Sequence, residues 1–191
     1  KKFLNFMTAS HRGGKIYDVD LRLRPSGSSG PLLVSESNLW SYLKNEAAAW
    51  ERQSYLRSRP LTEKTKFSYK EITKKGLNSK DIDELRDIRK KLLTPRKADE
   101  IDLKYEPGGL IDLEFAAQTG VLEAQLNPSS GSLKDLVFVL SEESQAWKSH
   151  SESYLENYYF LRTIEQLLQL TSHHSGSRLP LKGRDLNRLA K

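Results

Sequence analysis

Across residues 17–24 apolar and charged side chains alternate strictly: Tyr17, Val19, Leu21 and Leu23 interleave with Asp18, Asp20, Arg22 and Arg24. A strand points successive side chains to opposite faces, so this period of two predicts a β-strand with a packing face and a charged face. Pro25 removes a ladder donor and ends it. Gly27 and Gly30, within Ser26-Gly-Ser-Ser-Gly-Pro31, permit a tight turn into a second short strand over 32–35.

From there the apolar period is helical. Residues 1–8 read as the last turns of a helix. Ser37 is placed to cap a helix over 37–45 that buries Leu39, Trp40 and Leu43. A helix over 47–58 stops before Pro60; on it Gln53 and Arg57 share a face, the pattern of a salt-linked surface helix. A helix over 67–75 ends at Gly76. Over 79–94, Ile82, Leu85, Ile88, Leu92 and Leu93 form one stripe, acidic at its start and basic at its end as the helix dipole prefers. After Glu106-Pro-Gly-Gly109 a helix begins around Asp112 and Glu114 and runs to about Leu126, and Ser132 caps another to about Leu140. The longest pattern, 144–171, carries Trp147, Tyr154, Tyr158, Leu161 and Leu168 at near-heptad spacing, a stripe suited to bundle packing. A short helix over 182–190 closes the chain. The expected fold class is mainly α: a bundle of about six to eight helices over 37–191, preceded by β-strands within 1–36.

Composition narrows the function classes. The 191 residues hold 37% apolar and 29% charged side chains, ordinary for a globular protein, and the longest apolar run, 136–140, is far too short to span a bilayer. No membrane association is expected. The absence of cysteine excludes disulfides and thiolate zinc sites and fits a cytoplasmic protein. The chain begins Lys-Lys-Phe-Leu-Asn with no signal peptide and reads as a piece of a longer polypeptide. Its net charge of +6 is uneven: residues 1–97 hold 22 Lys and Arg against 11 Asp and Glu, whereas 98–191 hold 9 against 14. A positive field beside the Asp-bearing stretch attracts a triphosphate or an acidic protein surface. It also leaves nonspecific nucleic-acid binding as a reading on charge alone, disfavoured because no nucleic-acid-binding motif accompanies it.

Three places carry candidate chemistry. Asp18 and Asp20 on one strand face either pair with Arg22 and Arg24 or hold a divalent cation, since hard oxygen ligands suit Mg²⁺ and adjacent arginines suit polyphosphate. Asp81 and Asp83 lie in a first helical turn and read as dipole partners rather than metal ligands; His173-His174 reads as solvated loop. In Pro107-Gly-Gly109 the paired glycines let backbone approach a ligand or another segment closely, with a plain acidic-capped loop as the alternative.

The segments YDVDLRLRPSGSSGPLLVS (17–35), AWERQSYLRSR (49–59), DLKYEPGGLIDLEF (102–115) and YYFLRTIEQLLQL (158–170) together resemble the glutamine synthetase adenylyltransferase/adenylyl-removing enzyme family, in order and over most of the chain. The resemblance implies that 1–36 are the trailing strands of a nucleotidyltransferase-type domain and 37–191 its helical bundle. It implies a bifunctional parent enzyme that transfers AMP from ATP to a tyrosine of glutamine synthetase and removes it, with Mg²⁺ clamping the reacting oxygens. RPSG, KNEA at 44–47 and Asp-Leu-Lys before Gly-Gly resemble the adenylylating, C-terminal half. Asp20 matches a catalytic, metal-binding carboxylate, with Asp18 beside it as a second candidate ligand. Arg22, Arg24, Arg57, Arg59, Lys104, Gly108 and Gly109 are the expected ATP contacts. The family's upstream Gly-Ser and Asp-x-Asp are not in these 191 residues, so the chain alone is expected to be inactive. Implied partners are glutamine synthetase and a nitrogen-signalling regulatory protein. The alternative is a non-catalytic helical module that binds one of those two proteins.

Overall fold

The computed structural model describes residues 2–9, 19–21, 23–62, 67–171 and 177–182. The chain divides into two compact units, Lys1–Ala47 and Ala48–Lys191. Among the described residues it is mainly helical, as expected, with eight α-helices and one two-stranded sheet.

The first unit contains α1 (Lys2–Thr8), a 3₁₀ turn at Gly27–Ser29 and α2 (Glu36–Asn45). Of the alternating stretch, residues 19–21, 23 and 24 are described and none lies in a strand; Tyr17, Asp18 and Arg22 fall outside the described residues. The second expected strand, 32–35, is likewise unpaired chain. A strand exists by its ladder of hydrogen bonds, and the ladder among the described residues lies elsewhere in the sequence. Leu21 and Leu23, expected on a packing face, are each more than a third exposed (36% and 38%). The cap of α2 is Ser35 rather than Ser37: its Oγ accepts the Asn38 N–H at 3.2 Å.

In the second unit α3 (Ala49–Tyr55), α4 (Tyr69–Thr73), α5 (Ser79–Leu92), α6 (Leu110–Glu123), α7 (Leu133–Glu143) and α8 (Gln145–Thr171) form the bundle. The start of α5 is fixed by a reciprocal cap, Asn78 Oδ1 accepting the Asp81 N–H at 3.0 Å and Asp81 Oδ2 the Asn78 N–H at 3.2 Å. Asp81 thus caps and pairs, as its position in a first turn implied. Ser132 caps α7 in the same way, accepting the Asp135 N–H at 3.1 Å. α7 and α8 are separated by Ser144 alone and pack as a hairpin, with α6 against both. Leu110, Ala117, Val121 and Leu122 of α6, Leu136, Val137 and Leu140 of α7, and Leu168 of α8 are all buried in the core.

α3 departs from expectation. It is a buried helix rather than a surface one: Arg52 is fully buried, and Glu51 and Gln53 are buried beside it. Arg52 is accommodated because its Nη1 donates to the Gly76 carbonyl at 2.6 Å and its Nη2 pairs with Asp81 at 3.3 Å. A small sheet also appears where no strand was expected: β1 (Glu100–Asp102) pairs antiparallel with β2 (Arg178–Pro180), Ile101 opposite Leu179. Residues 183–190 of the final helix expected over 182–190, and His173-His174, lie outside the described residues.

Candidate functional site

The informative place is the turn between β1 and α6 and the cavity beyond it. Asp102 ends β1 and organises the turn: its Oδ1 accepts the N–H groups of Lys104 at 3.0 Å and Tyr105 at 3.1 Å and the Ser177 hydroxyl at 2.8 Å. Burial alone raises its carboxyl, but the hydrogen bonds from Ser177, Tyr105 and Lys104, with the charge of Arg178, outweigh it and hold the group below the usual carboxylate range. The Asp102 N–H in turn donates to Glu106 Oε1 at 2.9 Å.

Gly108 has φ +81°, and at Gly109 a Cβ meets the Leu103 carbonyl oxygen at 2.7 Å, so the two glycines serve the close turn onto the first residues of α6. Arg89 of α5 braces that turn from outside. Its Nε pairs with Asp112 Oδ1 at 2.5 Å and its Nη2 donates to the carbonyls of Tyr105 at 3.2 Å and Glu106 at 3.3 Å. The hydrogen bond from Arg89, together with the Gly108 N–H to Asp112 Oδ2 at 2.7 Å, holds the Asp112 carboxyl below its ordinary range.

Two residues beyond Asp112 and so about half a turn round α6, Glu114 points to the opposite side of the helix. Its side chain is 8% exposed, yet it is paired: Arg57 Nη1 donates to Oε2 at 2.8 Å, and Tyr158 of α8 donates to Oε1 at 3.3 Å. Burial, then the neighbouring Glu114 charge, pushes the Tyr158 hydroxyl upward. These three border a cavity of about 300 Å³ with Gln118, Gly131, Ser132, Leu133, Leu136 and Tyr159. At Gly131 a Cβ falls 2.1 Å from the Leu56 carbonyl oxygen, which lets the start of α7 close against the chain after α3. The aromatic stripe of α8 is therefore not wholly core. Trp147 and Tyr154 pack edge to face at 5.1 Å and Tyr154 donates to the Leu113 carbonyl, whereas Tyr158 faces the cavity.

The residues singled out in the sequence separate as follows. Asp20, in the first unit, is exposed and outside any strand. Asp18 and Arg22 lie outside the described residues. Arg24 donates to the carbonyls of Leu21, Ser28 and Gly30, holding the turn at Gly27–Ser29. Arg57 joins Glu114 at the cavity, Arg59 is exposed nearby in sequence, and the Lys104 ammonium lies 5.2 Å from the Tyr105 ring centroid. Among the described residues no three His, Cys, Asp or Glu side chains are grouped to hold a metal ion. Sequence reading missed Arg89, Gln118 and Tyr158 as parts of this region; Arg89, basic in a last helical turn, pointed to the helix dipole, Tyr158, in the aromatic stripe, pointed to core packing, and Gln118 carried no signal.

Comparison with known proteins resolves the class. Residues 1–74 match the family model described as Glutamate-ammonia ligase adenylyltransferase, and residues 78–191 match that described as GlnD PII-uridylyltransferase. Both describe nucleotidyltransferases, which is the class these segments define. Over 156 residues, 76% of the chain, it is 36% identical to the Bifunctional glutamine synthetase adenylyltransferase/adenylyl-removing enzyme of Idiomarina loihiensis. To the protein of that name from Shewanella loihica it is 33% identical over 98% of the chain. To that of Acinetobacter baylyi it is 32% identical over 80%. The chain belongs to the glutamine synthetase adenylyltransferase/adenylyl-removing enzyme family. It spans 16%, 21% and 18% of the length of those three relatives, respectively. No helix among the described residues is long and apolar enough to cross a membrane.

Proposed function

We propose that this chain is the junction of a nucleotidyltransferase domain with its helical domain, in an enzyme that transfers AMP from ATP to a tyrosine of glutamine synthetase and removes it. On this reading residues 1–36 are the trailing part of the nucleotidyltransferase domain and 37–191 the helical domain, acting in the cytoplasm. The observation that carries it is the similarity to an enzyme of that name over 98% of the chain, across both units. Asp20 is the proposed catalytic carboxylate. Arg22, Arg24, Arg59 and Lys104 are proposed to meet ATP phosphates, with Arg57 binding phosphate through the edge that Glu114 does not use, and Gly108 and Gly109 to bring backbone close to the nucleotide. Glutamine synthetase is the proposed substrate. A nitrogen-signalling regulatory protein is the proposed regulator, supported by the match of 78–191 to a model named for a PII-uridylyltransferase.

Mg²⁺, when bound, neutralises charge on the phosphates. Asp20 with Asp18 is the part of its ligand set that the sequence supplies, and the described residues do not complete a site, so no step is assigned to the metal. The test is made in the longer enzyme: Asp20→Asn abolishes AMP transfer from labelled ATP to glutamine synthetase with the fold intact, whereas Asp18→Asn, at the second candidate ligand, lowers it less. Equal loss in both variants, or unfolding by Asp20→Asn, refutes the assignment. The 191-residue chain alone shows no transfer. A second reading, a non-catalytic module that binds glutamine synthetase or the regulatory protein, is favoured by the pairing of Arg57 with Glu114 and of Arg24 with its own turn. It predicts that the chain binds one of those proteins without ATP.

A further inference from the structure

The cavity bordered by Arg57, Glu114, Gln118, Ser132 and Tyr158 holds more hydrogen-bond donors than it uses. Gln118 is 4% exposed, and among the described residues no hydrogen bond reaches its side chain. Its amide atoms are not sealed from solvent and so open into the cavity, where a ligand can take the place of water on them. Arg57 gives Glu114 only Nη1, and half of its side chain is exposed, leaving the Nε/Nη2 edge for a second acceptor. Ser132 and Leu133, where α7 begins, line the same cavity. The N–H groups of Gly131, Ser132 and Asp135 are taken by Tyr69, Ser130 and Ser132. Those of Leu133 and Lys134 belong to the first helical turn, which has no intrahelical acceptor and sits at the positive end of the helix dipole. Glu114, the one carboxylate among the lining residues, already accepts from Arg57 and Tyr158.

A donor-rich cavity with one arginine edge, a helix start and an unpaired amide selects an oxyanion. About 300 Å³ is room for roughly ten waters at ~30 Å³ each, more than a bare phosphate fills. The remainder is walled by Leu133, Leu136 and Tyr159. We infer that this cavity binds a small phosphate monoester, its phosphoryl group between Arg57 and the start of α7, with the Gln118 amide donating to it. The inference deepens the adenylyltransferase reading, in which Arg57 meets nucleotide phosphate, and adds Gln118 and α7 to the contact.

The test titrates the isotope-labelled 191-residue chain with inorganic phosphate and with AMP, following amide and Arg57 Nε–H resonances. AMP shifts Leu133, Lys134 and Arg57, and binds about tenfold or more tightly than phosphate because it also fills the apolar wall. Gln118→Leu weakens AMP binding about tenfold while leaving the melting temperature close to that of the parent chain, since the amide makes no hydrogen bond within the protein. Arg57→Lys keeps the charge but loses the fork and also weakens binding several-fold, which keeps the test open if the leucine variant misfolds. Silence at Leu133 and Lys134, or unchanged affinity in Gln118→Leu, overturns the site; equal affinity for phosphate and AMP overturns the monoester assignment. No binding by the chain alongside intact AMP transfer by the longer enzyme refutes this inference alone. Binding without transfer by the longer enzyme refutes the adenylyltransferase reading alone.

Discussion

Replacing Arg89 by alanine measures how firmly the turn into α6 is held. The substitution removes an ion pair to Asp112 at 2.5 Å and two hydrogen bonds to the carbonyls of Tyr105 and Glu106. Asp112 is 37% exposed, so solvent screens the pair and it is credited with only about 1 kcal/mol. The two carbonyl bonds contribute about 1 kcal/mol each, and the lost stem of a side chain only 12% exposed about 1 more. Against these, Arg89 Nη1 is buried without a partner, and its removal relieves about 1 kcal/mol. The net loss is about 2–3 kcal/mol, a fall in melting temperature of roughly 5–10 °C for a chain of this size. The effect carries a pH signature. Because Arg89 depresses the Asp112 carboxyl, its contribution is fully present above the unfolded carboxylate range and is lost as pH falls through the depressed folded value. Urea unfolding of both proteins therefore gives a stability gap that is widest near neutrality and narrows below about pH 4. Amide exchange at Gly108, whose N–H donates to Asp112, speeds up in the variant. A gap that stays constant down to pH 3, or one below about 0.5 kcal/mol at neutrality, refutes the bracing role.

Other outcomes follow from single contacts. Glu114→Gln removes the charge that helps raise Tyr158, so ultraviolet titration shows that hydroxyl ionising at lower pH, while Arg57 loses its ionic partner. Asp102→Ala leaves the Lys104 and Tyr105 N–H groups and the Ser177 hydroxyl without their acceptor and lowers stability by about 2–3 kcal/mol in urea unfolding, with faster exchange at both amides. Gly131→Ala places a Cβ 2.1 Å from a backbone oxygen and destabilises by about 2 kcal/mol or more, measured by thermal melting.

What the sequence made legible was local. α5 was readable from its apolar stripe with acidic start and basic end, and α7 from Ser132 as its cap, and both form where expected. α8 was readable from its aromatic spacing. The failures share a cause in sequence distance. Glu51, Arg52 and Gln53 look like surface residues until the acceptors of Arg52 arrive from 24 and 29 positions away. Arg57 and Glu114 are 57 residues apart, and no period or motif spacing connects them. β1 and β2 are three residues each, too short to show alternation. The alternation at 17–24, by contrast, is real in the letters, but a period of two describes the faces a strand offers and says nothing of whether a neighbouring strand is present to pair with it.

The pairing of β1 with β2 has a kinetic consequence. It ties residue 102 to residue 177, closing a loop of 75 positions that contains the turn, α6, α7 and α8. Contacts within the α7–α8 hairpin are near in sequence and form early, whereas the clasp must overcome the closure entropy of that long loop and is made late. The Asp102 carboxylate that orders the turn therefore receives its distant donor, the Ser177 hydroxyl, last, so the turn acquires its final shape only once the surrounding bundle is in place.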